Sequence, residues 1–253
     1  MKRDYSPSRL PLPLAIHRLA RRDIGLIAGM GICALLAGGF GVLAEEVAEG
    51  ETVRLDQAVV MAFRVPGHPG DLIGPPWLEE MGRDVTALGG YAFLTFLLLA
   101  TVGYLLLIRK RGLAALVSIA VGGGMLISTL LKLGFDRPRP DIPHAARVFT
   151  ASFPSGHAML SAVTFLTLGA LLTRVSSDRR IKIYFASLAV FLTLAVGASR
   201  VYLGVHYPSD VLAGWCIGSA WATLCWVAAL VLQRRGSIET PRQAREGNEE
   251  SSG

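Results

Sequence analysis

The chain has 253 residues, 52% of them hydrophobic and only 17% charged, against about 25% charged in an ordinary soluble domain. That balance excludes a disordered chain and argues for a membrane protein over a water-soluble one. The net charge of +6 would suit a nucleic-acid binder, but the placement of the basic residues, described below, argues against that reading.

A run of about 20 apolar residues crosses the hydrocarbon core as a helix. In chain order, residues 1–23 form a basic N-terminal segment, and apolar runs follow at roughly 24–44, 85–108, 113–133, 157–173, 181–198 and 209–232. No stretch reads as a strand, and backbone in lipid must satisfy its own hydrogen bonds. The prediction is therefore all-α: a polytopic membrane bundle of six transmembrane helices over 24–232, followed by a polar, disordered tail at 233–253. The first run exceeds the 7–15 residues of a secretory h-region, so it reads as an uncleaved anchor despite the VLA at 42–44.

The loop at 45–84 is acidic, with nine Asp+Glu against three Lys+Arg. Within it, LDQAVVMAF (55–63) predicts a short helix at the membrane interface, and the Pro/Gly-rich PGHPGDLIGPPW (66–77) predicts irregular chain with His68 solvated. Cys33, Cys216 and Cys225 lie singly in apolar runs and read as small core side chains. Gly25/Gly29 and Gly214/Gly218 have G-x-x-x-G spacing, which we read as close packing inside one chain; the oligomeric state stays open.

Basic residues mark cytoplasmic segments. With the N-terminus inside, the inner segments hold 17 of the 25 Lys+Arg, and five of the other eight fall in the last two outer loops. The basic residues therefore set topology, and no nucleic-acid partner is expected. Both termini are placed in the cytoplasm of a bacterial inner membrane, and the unusual polar residues outside it.

Those residues form three clusters. Lys132 ends the third run and leads into GFDRPRP with Arg137 and Arg139; FPSGHA (153–158) opens the fourth; Ser199 and Arg200 close the fifth, and His206 and Asp210 open the sixth. Four helix ends thus face one surface, where ionisable groups serve function. Lys132, Arg139 and Arg200, with Arg137 in reserve, are suited to phosphate oxygens. Ser155 and Gly156 open a helix, whose free N–H groups favour an anion. His206 precedes Asp210 by four residues, so the carboxylate can orient one ring nitrogen and leave the other to attack, while His157 can protonate a leaving oxygen. Taken singly, Ser155 reads as an N-cap, Lys132 as a snorkelling side chain, Arg139 as a partner of Asp136 or Asp141, Arg200–Asp210 as an ion pair, and His144 as plain loop. Jointly, these readings leave the shared face unexplained.

K-x6-RP (Lys132 to Arg139-Pro140), PSGH (154–157) and SR-x5-H-x3-D (199–210) resemble, in order and spacing, the three-part signature of the type 2 phosphatidic acid phosphatase superfamily. The resemblance implies a core like that of soluble acid phosphatases and vanadium haloperoxidases. It implies His206 as the nucleophile forming a phosphohistidine, Asp210 as its partner and His157 as the general acid. It further implies Lys132, Arg139, Ser155, Gly156 and Arg200 as phosphate ligands, without metal or cofactor. The expected activity is removal of a terminal phosphate from a lipid phosphate or diphosphate of the bilayer. Undecaprenyl diphosphate, phosphatidic acid and phosphatidylglycerol phosphate are the family's substrates, and location favours the first. The rivals are a phosphotransferase of the same superfamily and a non-catalytic anion-binding or transport protein.

Overall fold

Where twenty apolar residues follow one another, the backbone amides find partners only within their own segment. A computed structural model describes residues 12–143, 150–173 and 177–234, with side chains from 24 to 232, and it is helical over most of that length. The start of the basic N-terminal segment, His144, Arg147, Arg174 and the expected tail from residue 235 on lie outside the described residues, while positions 233 and 234 of that tail continue α8.

The elements run α1 (Leu12–Glu49), α2 (Val53–Met61), β1 (Arg64–Val65), β2 (His68–Leu72), α3 (Pro76–Ala87), α4 (Tyr91–Leu107), α5 (Arg111–Gly134), α6 (Gly156–Leu172), α7 (Arg179–Tyr202) and α8 (Pro208–Arg234). Among the described residues, four helices are long and apolar enough to cross a membrane: Ile24–Glu49, Arg111–Gly134, Arg179–Tyr202 and Pro208–Leu232. A fifth span results if α3 and α4, bent by 46° at their junction, are taken together. The run expected at 85–108 is therefore broken, because Gly89-Gly90 supplies two consecutive poor helix formers. Helix α6 has only 17 residues.

The chain is not wholly helical. The stretch expected to be irregular contains an antiparallel hairpin, in which Val65 pairs with His68 and Arg64 with Leu72. Pro66-Gly67 closes it, with Gly67 at φ +82. Such a turn needs a fixed φ followed by a positive one, which Pro and Gly supply. Strands this short carry no alternating pattern to read in advance. His68 is exposed, as expected, and the short helix expected near 55–63 forms as α2, with Asp56 and Val60 buried against the protein.

Helix α6 lies at the centre, packed against α5, α7 and α8. Ala158, Met159, Leu160, Ala162 and Val163 are fully buried along it. A helix walled in by others need not match lipid thickness, which accounts for its short length. On the outer helices Ile27, Leu35, Leu99, Leu107, Leu133 and Phe191 are exposed, an apolar belt suited to hydrocarbon.

Gly214 and Gly218 form the seam between α8 and α6. A Cβ at Gly214 would lie 2.7 Å from the Ser155 carbonyl oxygen, and one at Gly218 would lie 2.5 Å from that of Met159. This G-x-x-x-G pair thus packs within one chain. In the other pair, a Cβ on Gly29 would meet Val227 at 2.7 Å, while Gly25 has nothing within 4 Å. Because backbone must move to admit a side chain at 218, Gly218→Val should destabilise the protein by roughly 1–3 kcal/mol, read as a lower melting temperature in detergent micelles.

Candidate active site

Four helix termini meet at one end of the bundle. Lys132 and Arg200 occupy the last turns of α5 and α7, where the helix dipole favours cations. Asp210 lies in the first turn of α8, and Ser155 directly precedes α6. His206 sits in the short connection between α7 and α8. This connection turns at Gly204, whose φ of +69 suits glycine. The Ser155 N–H donates to the Asp210 carbonyl oxygen at 2.9 Å, tying the start of α6 to the start of α8.

The His206 imidazole is 1% exposed. Its Nε2 is 2.9 Å from Arg139 Nη1, and its Nδ1 faces Ser152 Oγ at 3.4 Å and Asp210 Oδ2 at 3.5 Å. A guanidinium only donates, so Nε2 accepts, and the ring proton belongs on Nδ1, towards the carboxylate. Burial pushes the imidazole pKa down to about 3, although the Asp210 carboxylate beside Nδ1 opposes that shift. The ring is neutral at pH 7, and Nε2 keeps its lone pair.

Asp210 is fully buried. It accepts from Arg137 Nη1 at 2.6 Å, Ser152 Oγ at 2.5 Å and the Tyr207 N–H at 2.9 Å. Arg139 donates to the carbonyl oxygens of Val205 at 2.7 Å and Thr150 at 3.0 Å. Lys132 Nζ donates to the Ala151 carbonyl oxygen at 3.1 Å, and Arg200 Nη1 to Thr86 Oγ1 at 3.1 Å. Lys132 and Arg139 therefore converge on residues 150–151, Arg139 also reaches 205–206, and Arg200 lies within electrostatic range of His206. His157, half-buried, lies within electrostatic range of Arg200, His206, Lys132 and Arg139.

The isolated readings of these residues do not describe what is seen. Ser155 stands at the N-cap position of α6 as its isolated reading has it, but its hydroxyl makes no capping bond; it is buried and without a partner among the described residues. Lys132 does not snorkel away, Arg139 binds carbonyls rather than Asp136 or Asp141, and Arg200 meets Thr86 rather than Asp210. Arg200 Nε and Ser128 Oγ are also buried and unpartnered among the described residues. A Cβ on Gly156 would lie 3.4 Å from Lys132 Cε and 3.5 Å from Ser128 Oγ. Unsatisfied buried donors beside cations are groups that an oxyanion would complete.

Arg137 has a different place from the one expected, bound to Asp56 and Asp210. Ser128, Ser152, Asp56 and Thr86 also belong to this neighbourhood and were missed in the sequence. Ser128 had a usable signal, since it precedes Lys132 by four residues on one helix. Ser152, Asp56 and Thr86 had none, because nothing local links them to Asp210 or Arg200. Among the described residues, no three His, Cys, Asp or Glu side chains gather as a metal site requires.

Comparison with known proteins identifies the family. The family model for the PAP2 superfamily matches residues 111–234, from α5 through α8. Phosphatidylglycerophosphatase B of Bacillus subtilis (strain 168) is 33% identical over 150 residues, covering 58% of this chain and 73% of that protein. A lipid A 1-phosphatase of Rhizobium johnstonii is 32% identical over 206 residues, covering 72% of this chain and 79% of the other. The chain belongs to the PAP2 superfamily. The crystal structure of a transmembrane PAP2 type phosphatidylglycerolphosphate phosphatase from Bacillus subtilis superposes with a TM-score of 0.70 at 29% identity. That match covers 77% of this chain and 94% of the other. As a PAP2 protein with named phosphatases as relatives, the chain is a hydrolase of phosphoric esters.

A pH effect on stability follows for this PAP2 site. An unfolded histidine binds a proton as pH falls through about 6.5, whereas His206 in the fold stays neutral until about 3. The unfolded state then binds more protons, so stability is retained above about 6.5 and lost as pH falls towards 3. The melting temperature of the wild type should drop more steeply between pH 7 and 4 than that of His206→Gln.

Proposed function

We propose that the protein is a lipid phosphatase that works through a phosphohistidine on His206. The observation that carries this reading is the pairing of a neutral Nε2, 2.9 Å from the Arg139 guanidinium, with Asp210 behind the opposite ring nitrogen. In the first step Nε2 bonds to phosphorus as the bond from phosphorus to the lipid oxygen breaks, and His157 gives that oxygen its proton. In the second step, water attacks phosphorus, His157 takes back a proton, the P–N bond breaks and phosphate leaves. Lys132, Arg139, Arg200, the Ser155 hydroxyl and the backbone at Gly156 would bind the phosphoryl oxygens and stabilise the charge gathered in the transition state. Asp210 would hold the Nδ1 proton and balance the positive charge on the ring.

The geometry suits a terminal phosphate on a lipid entering between helices, and the rest of the substrate lies beyond the groups described. Phosphatidylglycerol phosphate, phosphatidic acid and undecaprenyl diphosphate all offer that group. The first has the support of the Bacillus relative's name; outer-leaflet release favours the last. We further propose six spans, with the bent α3–α4 pair as the second and the enclosed α6 as the fourth. By the distribution of Lys and Arg, the termini lie in the cytoplasm of a bacterial inner membrane and the site opens outside it.

The deciding measurement is phosphate release by the purified protein from these three lipids in mixed micelles. His206→Ala should lower the rate by about a thousandfold or more, and an unchanged rate would refute the phosphohistidine. Orthovanadate, which takes the five-coordinate geometry of the transition state, should inhibit at micromolar to low millimolar concentration, on the order of substrate affinity or tighter.

A further inference from the structure

We infer that Asp56, on the loop helix α2, is a positioning residue that occupies the charge of Arg137 so that Asp210 remains free to balance His206. This rests on the phosphohistidine reading above. Asp56 lies outside the segment matched by the family model, which begins at residue 111. It is 2% exposed, and its carboxylate is fully engaged. Oδ2 accepts from Arg137 Nη2 at 2.7 Å and from Ser209 Oγ at 2.6 Å, and Oδ1 accepts from the Ser209 N–H at 3.0 Å.

Arg137 is shared between two acids. Its Nη1 donates to Asp210 Oδ1 at 2.6 Å and Ser209 Oγ at 2.8 Å, its Nη2 also reaches Thr52 Oγ1 at 3.1 Å, and the guanidinium stacks 4.6 Å over the Tyr207 ring. With side-chain exposures of 10% for Arg137, 2% for Asp56 and 0% for Asp210, water does little to screen these charges. A lone guanidinium on Asp210 would cancel its charge. Two carboxylates about one guanidinium leave one negative charge in excess, and Asp210 presents it to His206. The imidazole needs that charge when Nε2 bonds to phosphorus and the ring, still protonated at Nδ1, becomes cationic. Arg139 and Arg200 act on the ring, Lys132 lies within electrostatic range of Asp210, and all three add to the demand for a counter-charge.

Asp56 bonds to Arg137 and Ser209 and to none of the proposed phosphate ligands. Its loss should therefore act on the chemical step. With phosphatidic acid in mixed micelles as the probe, Asp56→Asn should lower kcat by about 10–100-fold and leave KM within about threefold. Removing the guanidinium as well restores the charge balance, so the Asp56→Asn/Arg137→Gln double variant should recover about tenfold in kcat over the single one. A clamp that only held α2 in place would make the double variant the worse of the two. A double variant no faster than Asp56→Asn, or a change confined to KM, overturns the inference. If Asp56→Asn is not recovered folded, the double variant decides against the wild type: kcat within about thirtyfold supports the inference, and a larger loss at an unchanged melting temperature overturns it. His206→Ala is assayed alongside. If it stays active, the phosphohistidine falls; if it is inactive and rescue fails, only the role of Asp56 falls.

Discussion

Crowding cations around one buried imidazole is the constraint that shapes this end of the bundle. Lys132, Arg139 and Arg200 repel one another, and burial removes much of the water that would weaken that repulsion. The fold meets this cost with acceptors already in place. Carbonyl oxygens of Thr150, Ala151 and Val205 receive Arg139 and Lys132, and Thr86 receives Arg200. The last turns of α5 and α7 add the negative ends of two helix dipoles. Among the described residues, the buried polar atoms left without a partner include the Ser155 and Ser128 hydroxyls and Arg200 Nε. On the proposed reading, a phosphoryl group would supply the charge and the acceptors that this arrangement lacks.

The same electrostatics explain why the site draws on most of the fold. Four helix termini bring the proposed phosphate ligands and the two histidines. The loop after α1 brings Asp56, which holds Arg137, and α3 brings Thr86, which holds Arg200. That loop is acidic overall, and one of its acids is buried 2.7 Å from a guanidinium that also binds Asp210. The α2–α3 region thus works as part of the site's scaffold. It lies outside the family model's match, whereas the proposed phosphate ligands lie within it.

Elements whose cause is local were legible in advance. The apolar runs at 113–133, 157–173, 181–198 and 209–232 gave helices near the expected bounds, because lipid leaves no other way to satisfy the backbone, while the run at 24–44 lies in a longer helix, Leu12–Glu49. The start of α8 at Pro208 follows from the residue type, since proline lacks the N–H that a first turn leaves free. The clusters at Lys132–Arg139, Ser155–His157 and Arg200–Asp210 stood out because charge is costly in apolar surroundings. The break at Gly89-Gly90 and the hairpin closed by Pro66-Gly67 were harder to read: a single glycine pair or a two-residue strand carries little periodic signal.

Residue order and composition by themselves determined that this is a membrane protein, that its polar residues gather at helix ends, and that it resembles a phosphatase family. Those conclusions rest on periodicity, hydropathy and spacing, which are properties of neighbours along the chain. Only tertiary structure decided that Arg137 serves two carboxylates, that Arg200 meets Thr86 rather than Asp210, and that Ser155 offers its hydroxyl without capping its helix. The partners are separated by 81 positions for Arg137 and Asp56 and by 114 for Arg200 and Thr86. A hydrogen bond depends on distance and direction in space, and no pattern along the chain encodes either across such a gap.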